Sequence, residues 1–515
     1  MDFNNDLVQN MVSIVPEILM TVLALAVIYL DLYLPAGRRQ ATVGYVAGIG
    51  LLIIGGLAAL IPTGGNTLAD QLMFGGMIRS DDLAKIFKVM IITVGGLTCF
   101  MGMGDLRLRY KSEFYAIIII ASIGASLLSA AADIVMLFVA LETLSISLYI
   151  LAGFIRTSQN STAAEVEYAN RSSESGLKYF LFGAFTSAFL LYGLTLVYGL
   201  SGGETSIYQI GPNLATSEHG TAVIIVALGM VVVGFGFKIS AVPFHFWTPD
   251  VYEGAPTPVT SYISVASKAA SFAVLTRFML AVFPPEQLLD GLEGYSTWWV
   301  QLLAMTSVVT MTLGNLLALV QTNIKRMIAY SSIAQAGYAL IGVVAIASDS
   351  SAGSGAAAVS FYMFMYVMTN TLLFTGIILF SNATNSETIR DMAGLSRRNP
   401  AIALGMTIAL LSLGGIPPAA GFFGKFVLFR AAVDADMVWL AIIGVLNAIV
   451  ALYYYLVVIK VMYVDRSPDD DQPIAMPAPY GFVVGVTSLA VVFLGVFFTP
   501  VWNWATTAGS DLFLR

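Results

Sequence analysis

Cysteine is almost absent from this 515-residue chain, where Cys99 stands alone. A single thiol excludes an internal disulfide and argues against a Cys-ligated iron–sulfur cluster or structural zinc site. Histidine is nearly as scarce. His219 lies in a polar loop and His245 in an apolar run, so bis-histidine haem ligation would have to join two unlike settings. Charged residues make up only 11% of the chain, about half the share of a soluble domain. The net charge of −7 falls largely in connections and gives no reason to expect a nucleic-acid partner. No Gly-x-Gly-x-x-Gly opens a helix after a strand. Gly415 to Lys425 has the wrong spacing for a phosphate loop, and Phe426 follows its lysine. No cofactor or metal is expected in this chain, so any electron transfer belongs to other chains.

What the chain has is apolar length. It is 58% hydrophobic, with a mean hydropathy of +0.83. About fourteen runs of roughly 20 residues reach the length that crosses a ~30 Å hydrocarbon core. They lie near 11–34, 41–61, 83–103, 114–132, 134–155, 176–200, 221–246, 257–282, 298–321, 326–347, 356–380, 401–430, 437–462 and 480–501. The expected fold is an all-α polytopic membrane protein. Asn4, Asn5 and Asp6 replace the basic start of a signal peptide, so the first run is expected to remain as an anchor. Basic residues concentrate in alternate loops, among them Arg38, Arg39, Arg107, Arg109, Lys111, Arg156, Arg171, Lys325, Arg326, Arg390, Arg397, Arg398, Lys460 and Arg466. The opposite set holds Arg79, Arg430 and Arg515. The positive-inside rule then places both termini on the outer, lumenal or periplasmic, side. Lys85 and Lys88 run against that pattern without outweighing it.

Two spans are discontinuous. The seventh carries Pro243 after Lys238, and the twelfth carries Pro417 and Pro418 before Lys425. Proline removes a backbone donor at membrane depth, which is tolerated only against protein or a wet cavity. Paired interruptions in two halves point to inverted repeats with a site near the midplane. Glu142 to Leu151 aligns with Ser331 to Leu340, pairing Tyr149 with Tyr338. Spans 4–8 would therefore repeat as spans 9–13. The expected division is a three-helix segment over 1–110, five-helix repeats over 111–283 and 284–466, and a C-terminal helix over 467–515.

Four charges lie deep in these runs: Glu142, Lys238, Lys268 and Lys425. A charge at a span's centre costs roughly 2.5–3.5 kcal/mol on insertion scales, so such residues are functional candidates. One acid and three amines read as a proton relay. The competing reading is that they only staple helices together. Lys268 lies among small residues, from Ser264 to Ser271, that leave room for water or close packing. His245 has the side chain to relay a proton or to cap the broken seventh span. Lys178, one turn into the sixth span, is an accessory candidate whose alternative is snorkelling. Arg277 is expected to snorkel at the end of the eighth span, and Glu17 to favour the N-terminus of the first.

Three long segments carry a family resemblance: Pro243 to Pro258, Lys325 to Gln335, and Leu411 to Lys425. The chain resembles the antiporter-like membrane subunits of complex I and its photosynthetic relative, the NDH complex, and within them the N-type, or subunit 2 (NdhB), branch. The resemblance implies that Glu142 is the fifth-helix acid, Lys238 its paired lysine, Lys268 the central relay and Lys425 the lysine that exchanges with the outer side. It implies iron–sulfur clusters and quinone in partner subunits, other antiporter-like and small membrane subunits as neighbours, and a peripheral redox arm. Ile389 to Leu395 and Tyr453 to Lys460 resemble the photosynthetic branch, which implies a cyanobacterial thylakoid membrane, plastoquinone as acceptor and ferredoxin as donor. Two other readings stand beside this one, a cation/proton antiporter and a structural spacer.

Overall fold

The computed structural model describes residues 3–105, 107–108, 111–157, 161–216, 221–284, 295–347 and 353–514. His219, Arg109, Pro285 and Arg515 lie outside them. Thirteen described helices are long and apolar enough to cross a membrane. The twelfth span is discontinuous as expected, with two shorter helices, Pro400–Gly414 and Ala420–Asp434, divided at the prolines. With it, the described residues hold fourteen spans, and the chain is an integral membrane protein.

Several boundaries differ from the hydropathy reading. The sixth span runs over Ala163–Leu200, 38 residues, because Thr162 and Glu165 form a capping box that starts it well before its apolar stretch. The first run divides into Phe3–Ser13 and Val15–Tyr33, with Pro16 in the first turn of the second piece. The eighth span, Thr257–Val282, contains a π-helical turn at Ile263–Ser267, immediately before Lys268. Such turns are frequent at functional sites.

The eighth, tenth (Ile324–Ala345) and eleventh (Ser354–Thr384) spans are almost wholly buried and form the centre of the molecule. Spans one, two, six, thirteen and fourteen bury much less and surround it. The thirteenth, Val438–Tyr463, leaves Ile442, Leu446, Ile449 and Tyr453 exposed, a face suited to lipid or a neighbouring subunit.

Both terminal segments lie on one face. Asn10 accepts a hydrogen bond from the Phe74 amide, and the Asp511 carbonyl accepts one from Arg79. A two-stranded hairpin, Leu72–Met73 with Ile78–Arg79, lies there too. Below it Arg277 is 0% exposed and clasps Asp81 through both terminal nitrogens, each at 2.7 Å. The expected snorkelling of Arg277 is thus corrected: Asp81, 196 residues away in sequence, neutralises it in place.

Candidate functional site

The second helix break explains the position of Lys425. Helix Pro400–Gly414 ends at Gly415, whose φ of +82° is a left-handed cap open to glycine. Ending a helix frees its last carbonyls. The Leu413 carbonyl accepts the Lys425 ammonium at 2.8 Å and the Gln335 amide at 3.2 Å. Lys425 also sits over the Tyr338 ring, 4.7 Å from its centre. Span fourteen can approach this break because Gly495 has no side chain; a Cβ there would lie 1.9 Å from the Pro418 carbonyl oxygen.

The first break repeats the scheme with the lysine on its other side. The seventh span, Thr221–Ile239, ends one residue after Lys238, and Ser240 turns the chain with a φ of +64°. The freed Phe237 carbonyl accepts the Trp247 indole at 3.1 Å. A short helix, Trp247–Gly254, then leads to the eighth span. Lys238 lies 5.4 Å from the Tyr149 ring. The tyrosines that align between the repeats therefore each face their own half's lysine. The Val242–Pro243 and Pro417–Pro418 peptide bonds are both cis.

Glu142 and Lys238 share one polar cluster without forming an ion pair. Lys238 is 3% exposed and donates to Ser145 at 2.6 Å, with Tyr149 at 3.5 Å. Glu142 accepts from Ser187 at 2.6 Å. In place of the expected direct pairing, Lys238 is held by Ser145, whose hydroxyl donates to the Leu141 carbonyl, and Glu142 by Ser187. Glu142 is only half-buried, beside exposed Val139 and Ile146 at the molecule's flank.

Lys268 is the most enclosed of the four. It donates to the Ser332 carbonyl at 2.7 Å and hydroxyl at 2.6 Å. The Ser332 hydroxyl also meets Tyr366 at 2.8 Å and Tyr252 at 3.2 Å. Tyr366 stacks near Tyr362, their ring centres 6.5 Å apart, and Tyr362 donates to Gln335. From Lys268 the polar groups thus run through Ser332, Tyr366, Tyr362, Gln335 and the Leu413 carbonyl to Lys425. Between Lys238 and Lys268 the passage is aromatic. Tyr179 stacks on Trp247 at 4.4 Å, and its buried hydroxyl has no hydrogen-bond partner.

The accessory candidates lie apart from this line. Lys178 is 38% exposed and pairs with Glu174 at 2.7 Å and Asp250 at 2.8 Å, on the face of the basic loops. Arg326 holds Asp250 and Glu253 from the other side, both at 2.9 Å. Burial pushes the Asp250 carboxyl up, but Lys178 and Arg326 outweigh it and hold it below the usual carboxylate range. A cavity of about 210 Å³ opens here, lined by Arg171, Glu174, Lys178, Asp250 and Glu253. His245 occupies the first break; its carbonyl accepts the Thr248 amide at 3.0 Å, and its buried Nδ1 has no partner. Phe246, not His245, is the N-cap residue of the short helix, and among the described residues no hydrogen bond joins the His245 side chain to the lysine line. Pro243, Pro417 and Pro418 all face outward at the breaks.

Sequence reasoning missed the connecting groups Ser145, Ser332, Gln335, Tyr362 and Tyr366. The only signal was the position of Ser332 and Gln335 inside the Lys325 to Gln335 segment that carries the family resemblance. It also missed that Glu17 and Lys88 are partners, 2.8 Å apart in the first and third spans. That pairing explains how Lys88 sits against the charge bias of the loops.

Comparison with known proteins gives a consistent picture. A family model described as NADH:quinone oxidoreductase/Mrp antiporter, TM, matches residues 131–451, more than half of the chain. NADH-quinone oxidoreductase subunit N of Moorella thermoacetica is 40% identical over 97% of this chain and 98% of its own length. NAD(P)H-quinone oxidoreductase subunit 2 of Nostoc punctiforme is 39% identical over 99% of this chain and 93% of its own. Among solved structures, a chain of respiratory complex I from Thermus thermophilus is 28% identical, with a TM-score of 0.73 over 95% of this chain and 98% of that one. A chain of the Mrp complex from Dietzia shares the fold, with a TM-score of 0.77 at 19% identity over 98% of both. The two broken spans, the lysine beside each and full-length identity to these subunits together place the chain in the NADH:quinone oxidoreductase/Mrp antiporter family of membrane subunits.

Proposed function

We propose that this chain is the N-type membrane-arm subunit of a quinone oxidoreductase and carries protons across the membrane without redox chemistry of its own. The observation that carries the proposal is the buried polar line from Lys268 to Lys425, joined across an aromatic step to the Lys238–Ser145 and Glu142–Ser187 contacts. Quinone and iron–sulfur clusters belong to partner subunits, alongside other antiporter-like and small membrane subunits and a peripheral redox arm. Rearrangement at the half-buried Glu142 flank would alter the field on Lys238. Protons would load from the basic-loop side near Lys178 and Asp250, pass Lys268, and leave past Lys425. In this reading both termini face the lumenal or periplasmic side. The thylakoid assignment, with plastoquinone and ferredoxin, is supported by the Ile389 to Leu395 and Tyr453 to Lys460 segments. Relatives carrying either name match at 39–40% identity, so the donor subunits that co-purify in mild detergent decide that branch.

The test is the number of protons moved per two electrons by vesicle-reconstituted complexes bearing Lys238→Ala or Lys425→Ala. A lowered ratio is expected in both, and the wild-type ratio in assembled complexes would overturn the proposal. The second reading, a cation/proton antiporter, is favoured by the Mrp antiporters named in the family description. It requires a sodium-dependent proton gradient in vesicles holding this chain alone, or this chain with only small membrane partners.

A further inference from the structure

A second buried titratable centre lies outside the lysine line. Glu17 is 5% exposed and Lys88 is 7% exposed, in the first and third spans, and their side chains meet at 2.8 Å. The same Glu17 oxygen, Oε1, accepts a hydrogen bond from Ser126 of the fourth span at 2.6 Å. Its other oxygen, Oε2, is buried without any partner. A carboxylate oxygen enclosed and unbonded is costly, and it is the acceptor a water or a proton would take. Lys88 also donates to the Ser13 carbonyl at 3.2 Å, a group left free where helix Phe3–Ser13 ends.

This centre is not sealed. A cavity of about 30 Å³ is lined by Ser13, Pro16, Ser80, Asp81, Lys85 and Lys88. That exceeds the roughly 10–15 Å³ one water needs, and the lining supplies polar partners for it. The cavity lies on the face that carries both terminal segments. The charged groups lining it are Lys85 and Lys88 from the third span and Asp81 from the connecting loop, and Glu17 of the first span meets the cavity through Lys88. Asp81 is itself held by Arg79 and Arg277. The fourth span leads back to the eighth. Ser122, one turn before Ser126, shares a 2.7 Å hydrogen bond with Tyr262, six residues before Lys268.

We propose that Glu17 and Lys88 form a proton-exchange site between the fourth-span hydroxyls and water on the terminal face, a release point separate from Lys425. The inference rests on the proton-translocating reading above. In the step, the Ser126 hydroxyl passes a proton to Glu17 as it gains one from protonated water on its Ser122 side. Neutral Glu17 loosens its hold on Lys88. Lys88, which lines the cavity, then gives a proton to cavity water and takes the one held by Glu17, so that the ion pair re-forms.

The test is proton pumping per two electrons in vesicles containing the Glu17→Gln/Lys88→Met complex, with Lys238→Ala in parallel. The double change removes both charges together, so a pair that only staples helices would leave the ratio at its wild-type value. A lowered ratio supports the release site, and a wild-type ratio in the assembled complex overturns it. If Lys238→Ala also pumps at the wild-type ratio, the translocation reading itself fails. A second measurement needs no variant. In wild-type vesicles, dicyclohexylcarbodiimide should modify Glu17, and less so as pH rises on the terminal face alone. Labelling that is absent, or blind to pH on that face, contradicts the proposal.

Discussion

Replacing Asp81 by Asn should cost this protein more stability than neutralising any exposed charge. Asp81 accepts two hydrogen bonds at 2.7 Å from Arg277, and Arg79 lies 3.2 Å away; all three side chains are fully buried. Burial pushes the Asp81 carboxyl up, but the two guanidinium groups and the Ala84 amide outweigh it and hold it below the usual carboxylate range. It is therefore charged at neutral pH, and its stabilisation is complete there. Breaking a buried pair by removing one partner costs about 3–5 kcal/mol, because the other charge is left uncompensated. Here two buried arginines would face each other across Tyr208, 2.9 and 3.1 Å from its hydroxyl. At ~1.4 kcal/mol per tenfold, the folded-to-unfolded ratio should fall by roughly two to nearly four powers of ten. Asp81→Asn/Arg277→Met should recover at least half of that loss, since Arg79 keeps Gln71 at 2.8 Å and the Asp511 carbonyl. Detergent-titrated unfolding of the purified chain, followed by tryptophan fluorescence, measures both. A single variant within 1 kcal/mol of wild type, or a double variant no better than the single, would refute the reasoning.

Two further outcomes follow from the same geometry. Asp250 is held below the usual carboxylate range, so its stabilisation is present above the unfolded value near 3.9 and is lost as pH falls through the lower folded value. Because its ion pairs are 38% exposed, solvent screening leaves roughly 1 kcal/mol or less. Unfolding of Asp250→Asn at several pH values should show a constant deficit from pH 5 to 8, vanishing in acid. At the second break, a Cβ on Gly421 would sit 1.6 Å from the Ser412 carbonyl oxygen. Gly421→Ala should therefore destabilise by at least the ~1–3 kcal/mol typical of overpacking. Gly485→Ala, with open space around its Cβ, should fold as wild type; equal yields of both variants in the membrane would contradict this.

The lysines were legible because a charge inside a long apolar run is conspicuous whatever the fold. The breaks were legible for the same reason, since proline at membrane depth has few tolerable settings. Partner choice was not. Arg277 and Asp81 lie 196 residues apart, and read alone each has a bland explanation at a membrane surface. Ser145, Ser332 and Gln335 are residue types common on spans, and nothing in their order says that they face a lysine rather than their own backbone. The π-helical turn at Ile263–Ser267 left no mark beyond a run of small residues. The early start of the sixth span could have been found. Thr162 and Glu165 have capping-box spacing, but hydropathy begins only where the polar first turns end.

The central claim is that protons pass between the two halves through Lys268, and a Lys268→Met complex tests it most directly. Met keeps the length and removes the charge that Ser332 holds at 2.6 Å. Proton uptake and release would be followed in sealed vesicles while quinone is reduced, and expressed per two electrons. The account predicts a ratio clearly below wild type. An assembled Lys268→Met complex that pumps at the wild-type ratio would contradict it.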